Sequence, residues 1–109
     1  MLDFAFATPE EICAELGARL RRQRLAQGLR QAELAQRAAV SPGTIKNLEG
    51  KGQSSTETLV RVVSALGLVD ELAKLFELKV TSIAAMERAQ QAQRQRAPRK
   101  SAKPKAART

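Results

Sequence analysis

Residues 31–50 read QAELAQRAAVSPGTIKNLEG, two helical segments with the short AAVSPG (Ala38–Gly43) between them. Ala32, Leu34, Ala35 and Ala38 supply the small apolar face of a helix from about Gln31 to Ala38. Ser41-Pro42 then signals a new start: a hydroxyl that can cap free N–H groups, and a proline whose missing N–H costs nothing in a first turn. Ile45 and Leu48 form the buried side of a helix reaching Glu49, with Gly50 and Gly52 expected to end it. With Ala39, Val40 and Ser41 as the whole connection, the two helices must make a compact corner.

The flanking sequence continues in helical register. Thr8-Pro9-Glu10-Glu11 combines an N-cap threonine, a first-turn proline and a glutamate three residues after the cap. Ile12, Leu16 and Leu20 follow every four residues and Gly28 offers the stop, so a helix is expected over about 9–26. Downstream, Ser54 and Glu57 stand at capping-box spacing, Leu59, Val62, Val63 and Leu66 recur at helical intervals, and Gly67 closes a fourth helix. A fifth, about Val69 to Glu77, should carry Leu72, Leu75 and Phe76 toward the same core. Leu20, Leu34, Ile45, Leu48, Leu59, Val63 and Leu66 are the expected core positions. No strand is signalled apart from FELKV (76–80), which reads equally well as a helix end.

After Leu78 the character changes. TSIAAMERAQQAQRQRA (81–97) favours helix but supplies few large core residues, so a sixth helix here would need a partner. Pro98 should break it, leaving PRKSAKPKAART (98–109) as a low-complexity basic tail expected to be disordered. The expected organisation is therefore a domain at 8–78, a helical extension suited to dimerisation at 79–97, and the tail.

The net charge of +8 is unevenly placed. Met1–Glu87 carries eleven basic and eleven acidic residues, whereas Arg88–Thr109 carries eight basic residues and no acidic one. Such a tail suits a polyanion. The chain has no His and a single cysteine, Cys13, which removes the commonest general base, the commonest metal ligand and any internal disulfide. No glycine-rich phosphate loop or nucleophile-and-base arrangement is present, so no enzyme, cofactor or metal is expected. Nothing resembles a signal peptide or a membrane span, and the expectation is a cytoplasmic, nucleoid-associated protein.

A helical corner is the geometry of the helix-turn-helix, whose second helix enters the DNA major groove. Leu16–Gly67 resembles the DNA-binding domain of the XRE family, the Cro and CI repressor-like regulators. The shared features are Leu20, Arg24, Gly28-Leu29, Gln31, Leu34-Ala35, Val40-Ser41, Thr44-Ile45, Glu49 and the glycine after it, Thr58-Leu59 and Ala65-Leu66-Gly67. The resemblance implies an all-α, five-helix, lambda repressor-like fold. One position departs: Ala39 stands where the family usually has glycine, so the turn must accept a side chain.

The resemblance also implies roles. Gln31 and Thr44 would meet phosphates at the starts of their helices. Pro42, Gly43, Lys46 and Asn47 correspond to the base-reading turns of the recognition helix; the first two lack side-chain donors, so reading falls on Lys46, suited to guanine N7 and O6, and Asn47, suited to adenine N6 and N7. Arg30, Lys51 and Gln53 flank the unit and could meet phosphates, while Arg24 and Glu49 match a structural ion pair. The implied function is a sequence-specific transcriptional regulator of double-stranded DNA, most often a repressor, bound as a homodimer to half-sites about 34 Å apart. Apolar residues after Gly67 exceed what a five-helix core needs and offer a subunit interface. The alternative is an antitoxin of the HipB type, binding a toxin partner and repressing its own operon. If all eight tail charges met phosphates, they would steepen the fall of log affinity with log salt by about 7.

Overall fold

The computed structural model describes residues 2–78 and 82–101. One turn of 3-10 helix at Phe4–Phe6 precedes α1 (Pro9–Ala26), α2 (Gln31–Ala38), α3 (Pro42–Lys51), α4 (Thr56–Ala65), α5 (Val69–Ala73) and α6 (Ile83–Ser101). No strand occurs among the described residues. Lys79 and Val80 of FELKV lie outside them, as does the tail from residue 102 onward.

Side-chain oxygens set the helix starts. At α1, Thr8 Oγ1 accepts the Glu11 N–H at 3.1 Å while the Glu11 carboxylate accepts the Thr8 N–H at 2.8 Å, the expected capping box. At α4 the cap is Ser55, not Ser54: Ser55 Oγ accepts the Thr58 N–H at 3.0 Å. The Glu57 carboxylate, expected to turn back to Ser54, is held 2.7 Å from Arg61 one turn ahead.

The first four helices enclose the core. α1 packs on α3, α2 on both α3 and α4, and α4 on α5. Leu20, Leu29, Leu34, Ala35, Ala38, Ile45, Leu48, Val62, Val63 and Leu66 are buried, with Leu59, Leu68 and Leu72 packed against them. Leu34, Ile45 and Val62 are the largest wholly enclosed side chains, each worth about 1.5–3 kcal/mol of transfer free energy. Leu16 sits at the edge because α1 meets α3 along Gly17, Leu20 and Arg24, one stripe at helical spacing. Ala32 likewise faces outward on α2. Gln27 Nε2 donates to the Leu66 carbonyl at 2.8 Å, tying the end of α1 to the end of α4.

Three expectations need correcting. α3 does not stop at Glu49: Gly50 is a helical residue, and the helix ends at Gly52, whose φ of 70° only glycine adopts without strain. α5 ends at Ala73, and of the three residues expected to reach the core only Leu72 does. The Leu75 N–H turns back to the Leu72 carbonyl and Phe76 takes a φ of 57°, so Leu75 and Phe76 are exposed, Phe76 almost completely. Finally, α6 runs through Pro98 to Ser101. A proline removes one N–H and crowds the carbonyl four residues earlier, which interrupts a single rung of the helix rather than ending it here.

The chain divides into two units, Met1–Leu75 and Phe76–Thr109. The first holds α1 to α5 and the core.

Candidate nucleic-acid interface

The corner between α2 and α3 is built by the backbone of Ala39 and Val40. Ala39 has φ 60° and ψ 44°, the left-handed conformation, and its N–H reaches the Gln36 carbonyl at 3.2 Å. The Val40 N–H reaches the Ala35 carbonyl at 3.0 Å, which closes a Schellman turn while the Val40 side chain packs against the core. The alanine thus takes up the glycine conformation, and the turn keeps its form at a cost of about 1–2 kcal/mol.

Ser41 then starts α3. Its Oγ accepts the Thr44 N–H at 3.1 Å and lies 2.8 Å from Thr44 Oγ1. Ile45, Leu48 and Glu49 face inward. Pro42, Gly43, Lys46, Asn47, Gly50 and Lys51 are exposed, so the predicted reading residues do share the outer side of one helix. Among the described residues neither Lys46 nor Lys51 is in an ion pair, which leaves both charges available to a ligand.

The remaining candidates are placed differently. Gln31 is turned inward, its Nε2 donating to Glu49 Oε1 at 3.1 Å, so its side chain ties the start of α2 to the end of α3. Arg30 is exposed at the same helix start, with its N–H donated to the Glu33 carboxylate at 2.8 Å. That N–H, more than the nearby guanidinium, holds the Glu33 carboxyl below the ordinary glutamate range. Lys51, the last residue of α3, and Gln53 beyond it lie on an open depression that also includes Pro9, Glu10, Cys13 and Ala14.

Beneath this surface, Arg24 and Glu49 form a forked ion pair. Nε donates to Oε2 at 2.6 Å, Nη2 to Oε1 at 2.9 Å, and Nη1 to the Leu29 carbonyl at 2.7 Å. The hydrogen bonds to Glu49 raise the Arg24 pKa further above its already high value. Together with Gln31, the pair joins α1, the start of α2 and the end of α3, so it fixes the two outward helices to one frame.

Two contributors were not visible as such in the sequence. Gly17 allows the closest approach of α1 to α3: a β-carbon there would collide with the Leu48 carbonyl and lie 3.1 Å from that of Glu49. Gly50 is on the exposed side of α3 between Asn47 and Lys51, and a β-carbon there would meet nothing within 4 Å. In the sequence both Gly50 and Gly52 read only as stops for α3. Among the described residues no group of acidic or sulfur side chains is arranged to hold a metal ion, and no helix is long and apolar enough to cross a membrane.

A protein-family model described as a helix-turn-helix domain matches residues 15–76, more than half of the chain. The match takes in α2, the Ala39 turn and α3, and leaves the N-terminal turn and α6 outside. No curated protein matches the chain.

Proposed function

Because the chain belongs to this helix-turn-helix family, of the XRE/Cro-like type, we propose that it is a sequence-specific repressor that binds a two-fold DNA operator as a homodimer. Membership makes it a DNA-binding regulator with a Cro/CI-like, all-helical domain. The observation that carries the finer reading is the outer side of α3, where Lys46 and Asn47 stand exposed between two glycines, Gly43 and Gly50.

That arrangement suits direct readout. Lys46 donates to guanine N7 or O6, and Asn47 both donates to and accepts from adenine. Gly43 and Gly50 add no side chain, so the helix can lie close to the base edges. Pro42 offers apolar contact to a thymine methyl. The Thr44 hydroxyl and the Gly43 N–H at the start of α3, and the Gln31 N–H at the start of α2, donate to phosphates, with Arg30, Lys51 and Gln53 on either side.

A single recognition helix spans few base pairs, and half-sites about 34 Å apart require two. The exposed Val69 and Leu75 at the end of the first unit supply apolar surface for that pairing. Repression follows from occupying promoter DNA.

Selection of bound duplexes from a random pool with the purified chain tests the reading. A two-fold-symmetric motif is expected, and sedimentation should give a dimer on it. Absence of any enriched sequence would sink the proposal and favour a protein partner such as a toxin.

A further inference from the structure

We infer that α6 is a second, sequence-independent DNA-binding element that holds duplex phosphates while the domain reads bases; this rests on the DNA-binding reading above and deepens it. The observation behind it is a separation of charge from core. Through Glu87 the chain has eleven basic and eleven acidic residues, and from Arg88 onward every charged residue is positive.

Within the first unit many cations are already engaged. Arg24 is held by Glu49, Arg19 and Arg22 by Glu15, and Arg61 by Glu57, while Arg30 lies beside Glu33. A domain so balanced exerts little long-range attraction on a polyanion. In α6, by contrast, Arg88, Arg94, Arg96, Arg99 and Lys100 share one 19-residue helix with a single acidic residue, Glu87. Arg88 and Arg94 are exposed, and among the described residues neither is in an ion pair.

The composition of the helix selects the partner. A helix lying on an anionic bilayer needs a bulky apolar side, and after Met86 this one offers only alanine, glutamine, Pro98 and Ser101 besides its charges. Two copies of α6 laid together would bring like charges into contact. A duplex fits both features: Gln90, Gln91 and Gln93 can hydrogen-bond phosphate and sugar oxygens. The helix is about 28 Å long at 1.5 Å per residue, alongside about 16 phosphate charges at one per 1.7 Å. The family match ends at residue 76, so this element lies outside the family's domain.

The test compares the full chain with the full-chain variant R88Q/R94Q/R96Q/R99Q/K100Q. Glutamine keeps the helix propensity of the replaced residues, and circular dichroism verifies that the helix content is unchanged. Both chains are titrated with a selected duplex and a random duplex of equal length, from 50 to 200 mM salt. The variant should show a slope of log affinity against log salt that is shallower by roughly 3–4.5, each lost contact changing the affinity ratio across that range by about 3.5-fold. Its preference for the selected over the random duplex should hold or rise. Equal salt slopes in the two chains overturn the inference and leave the base-reading proposal standing; failure of both chains to bind any duplex overturns both. Binding of the full chain to phosphatidylserine vesicles that the variant loses, with equal duplex slopes, assigns α6 to membranes and overturns it as well.

Discussion

Gly17 of α1 lies directly against the carbonyl of Leu48 in α3, so close that a β-carbon at Gly17 has no room. The obstacle is backbone, which cannot rotate away, so the substitution must separate two helices that together carry the Arg24 and Glu49 pair. Gly17→Ala should destabilise the fold by about 1–3 kcal/mol or more, as overpacking does. At Gly50 the same substitution meets nothing within 4 Å, and replacing an exposed helical glycine with alanine should stabilise by about 1 kcal/mol. Urea unfolding of the two variants should therefore move the midpoint in opposite directions. In duplex titrations Gly50→Ala should lose affinity despite its greater stability, because its new methyl group stands on the side proposed to read bases. A Gly50→Ala variant that binds as well as the parent removes close approach from the account.

The Ala39 turn gives a second test. At φ 60° and with an exposed side chain, Ala39 bears the left-handed penalty without compensating burial. Ala39→Gly relieves about 1–2 kcal/mol of that strain and returns part of it as unfolded-chain entropy. A net gain of about 0.5–1 kcal/mol is expected. Ala39→Val should lose more than it gains, since a β-branched residue is a poor fit to positive φ. Equal unfolding midpoints for alanine and glycine would contradict the turn geometry.

The ion pair predicts strong non-additivity. Arg24→Met leaves Glu49 buried with only Gln31 as a donor, and loss of one partner of a buried pair costs about 3–5 kcal/mol. Glu49→Leu should cost a similar amount by stranding the guanidinium. The joint Arg24→Met, Glu49→Leu replacement leaves no uncompensated charge and should be far milder than the sum, measured by a double-mutant cycle in urea. Additive losses would show that the two side chains act separately.

Much of this architecture was legible because helix starts are written in short-range chemistry. Thr8-Pro9 and Ser41-Pro42 gave α1 and α3 their first residues, and Leu34, Ala35 and Ala38 at helical spacing marked the buried side of α2. Failures occurred where a residue's role depends on what lies across from it. Ser54 and Ser55 are equivalent as caps until Arg61 is seen holding Glu57. Gly50 and Gly52 are equivalent as stops until Gly52 is found with positive φ against the backbone of Cys13. Leu75 and Phe76 have the right spacing for a core, but the turn after Leu72 faces them outward. Of the interface, the exposed row on α3 follows from helical periodicity alone; the inward turn of Gln31 toward Glu49 does not, because an amide can satisfy either side.

The absence of His makes the pH profile simple. Glu15 is held below the usual glutamate range chiefly by its hydrogen bond from Arg19, and Glu33 by the Arg30 N–H. A depressed carboxyl pKa adds stability that is complete above the unfolded value, 4.5, and is lost as pH falls through the folded one. With no imidazole to titrate, stability should be flat from about pH 6 to 7.5 and decline only below about pH 4.5. Urea midpoints across that range check it, and a step near pH 6.5 would contradict it. Glu15→Gln and Glu33→Gln should each flatten the acid limb.

The proposed base reading and phosphate binding are separable at Asn47 and Lys51, both exposed on α3. Asn47 lies on the outer face among the reading positions, and a bidentate contact to adenine discriminates by about 1–3 kcal/mol. Asn47→Ala should therefore lose affinity only for the selected duplex and relax preference at one base pair in each half-site. The salt slope should stay unchanged. Lys51 sits in the last turn, beside Gln53 and the start of α1, away from the centre of that face. Lys51→Ala should weaken selected and random duplexes alike and reduce the salt slope by about 1 per half-site. Lys46 is the discriminating case, since a lysine serves either role: Lys46→Gln that relaxes preference at a guanine makes it a reader, whereas a uniform loss with a shallower slope makes it a phosphate contact. Repeating the random-pool selection with each variant reads all three outcomes in one format. Unchanged motifs for both Asn47→Ala and Lys46→Gln would move direct readout off this face of α3.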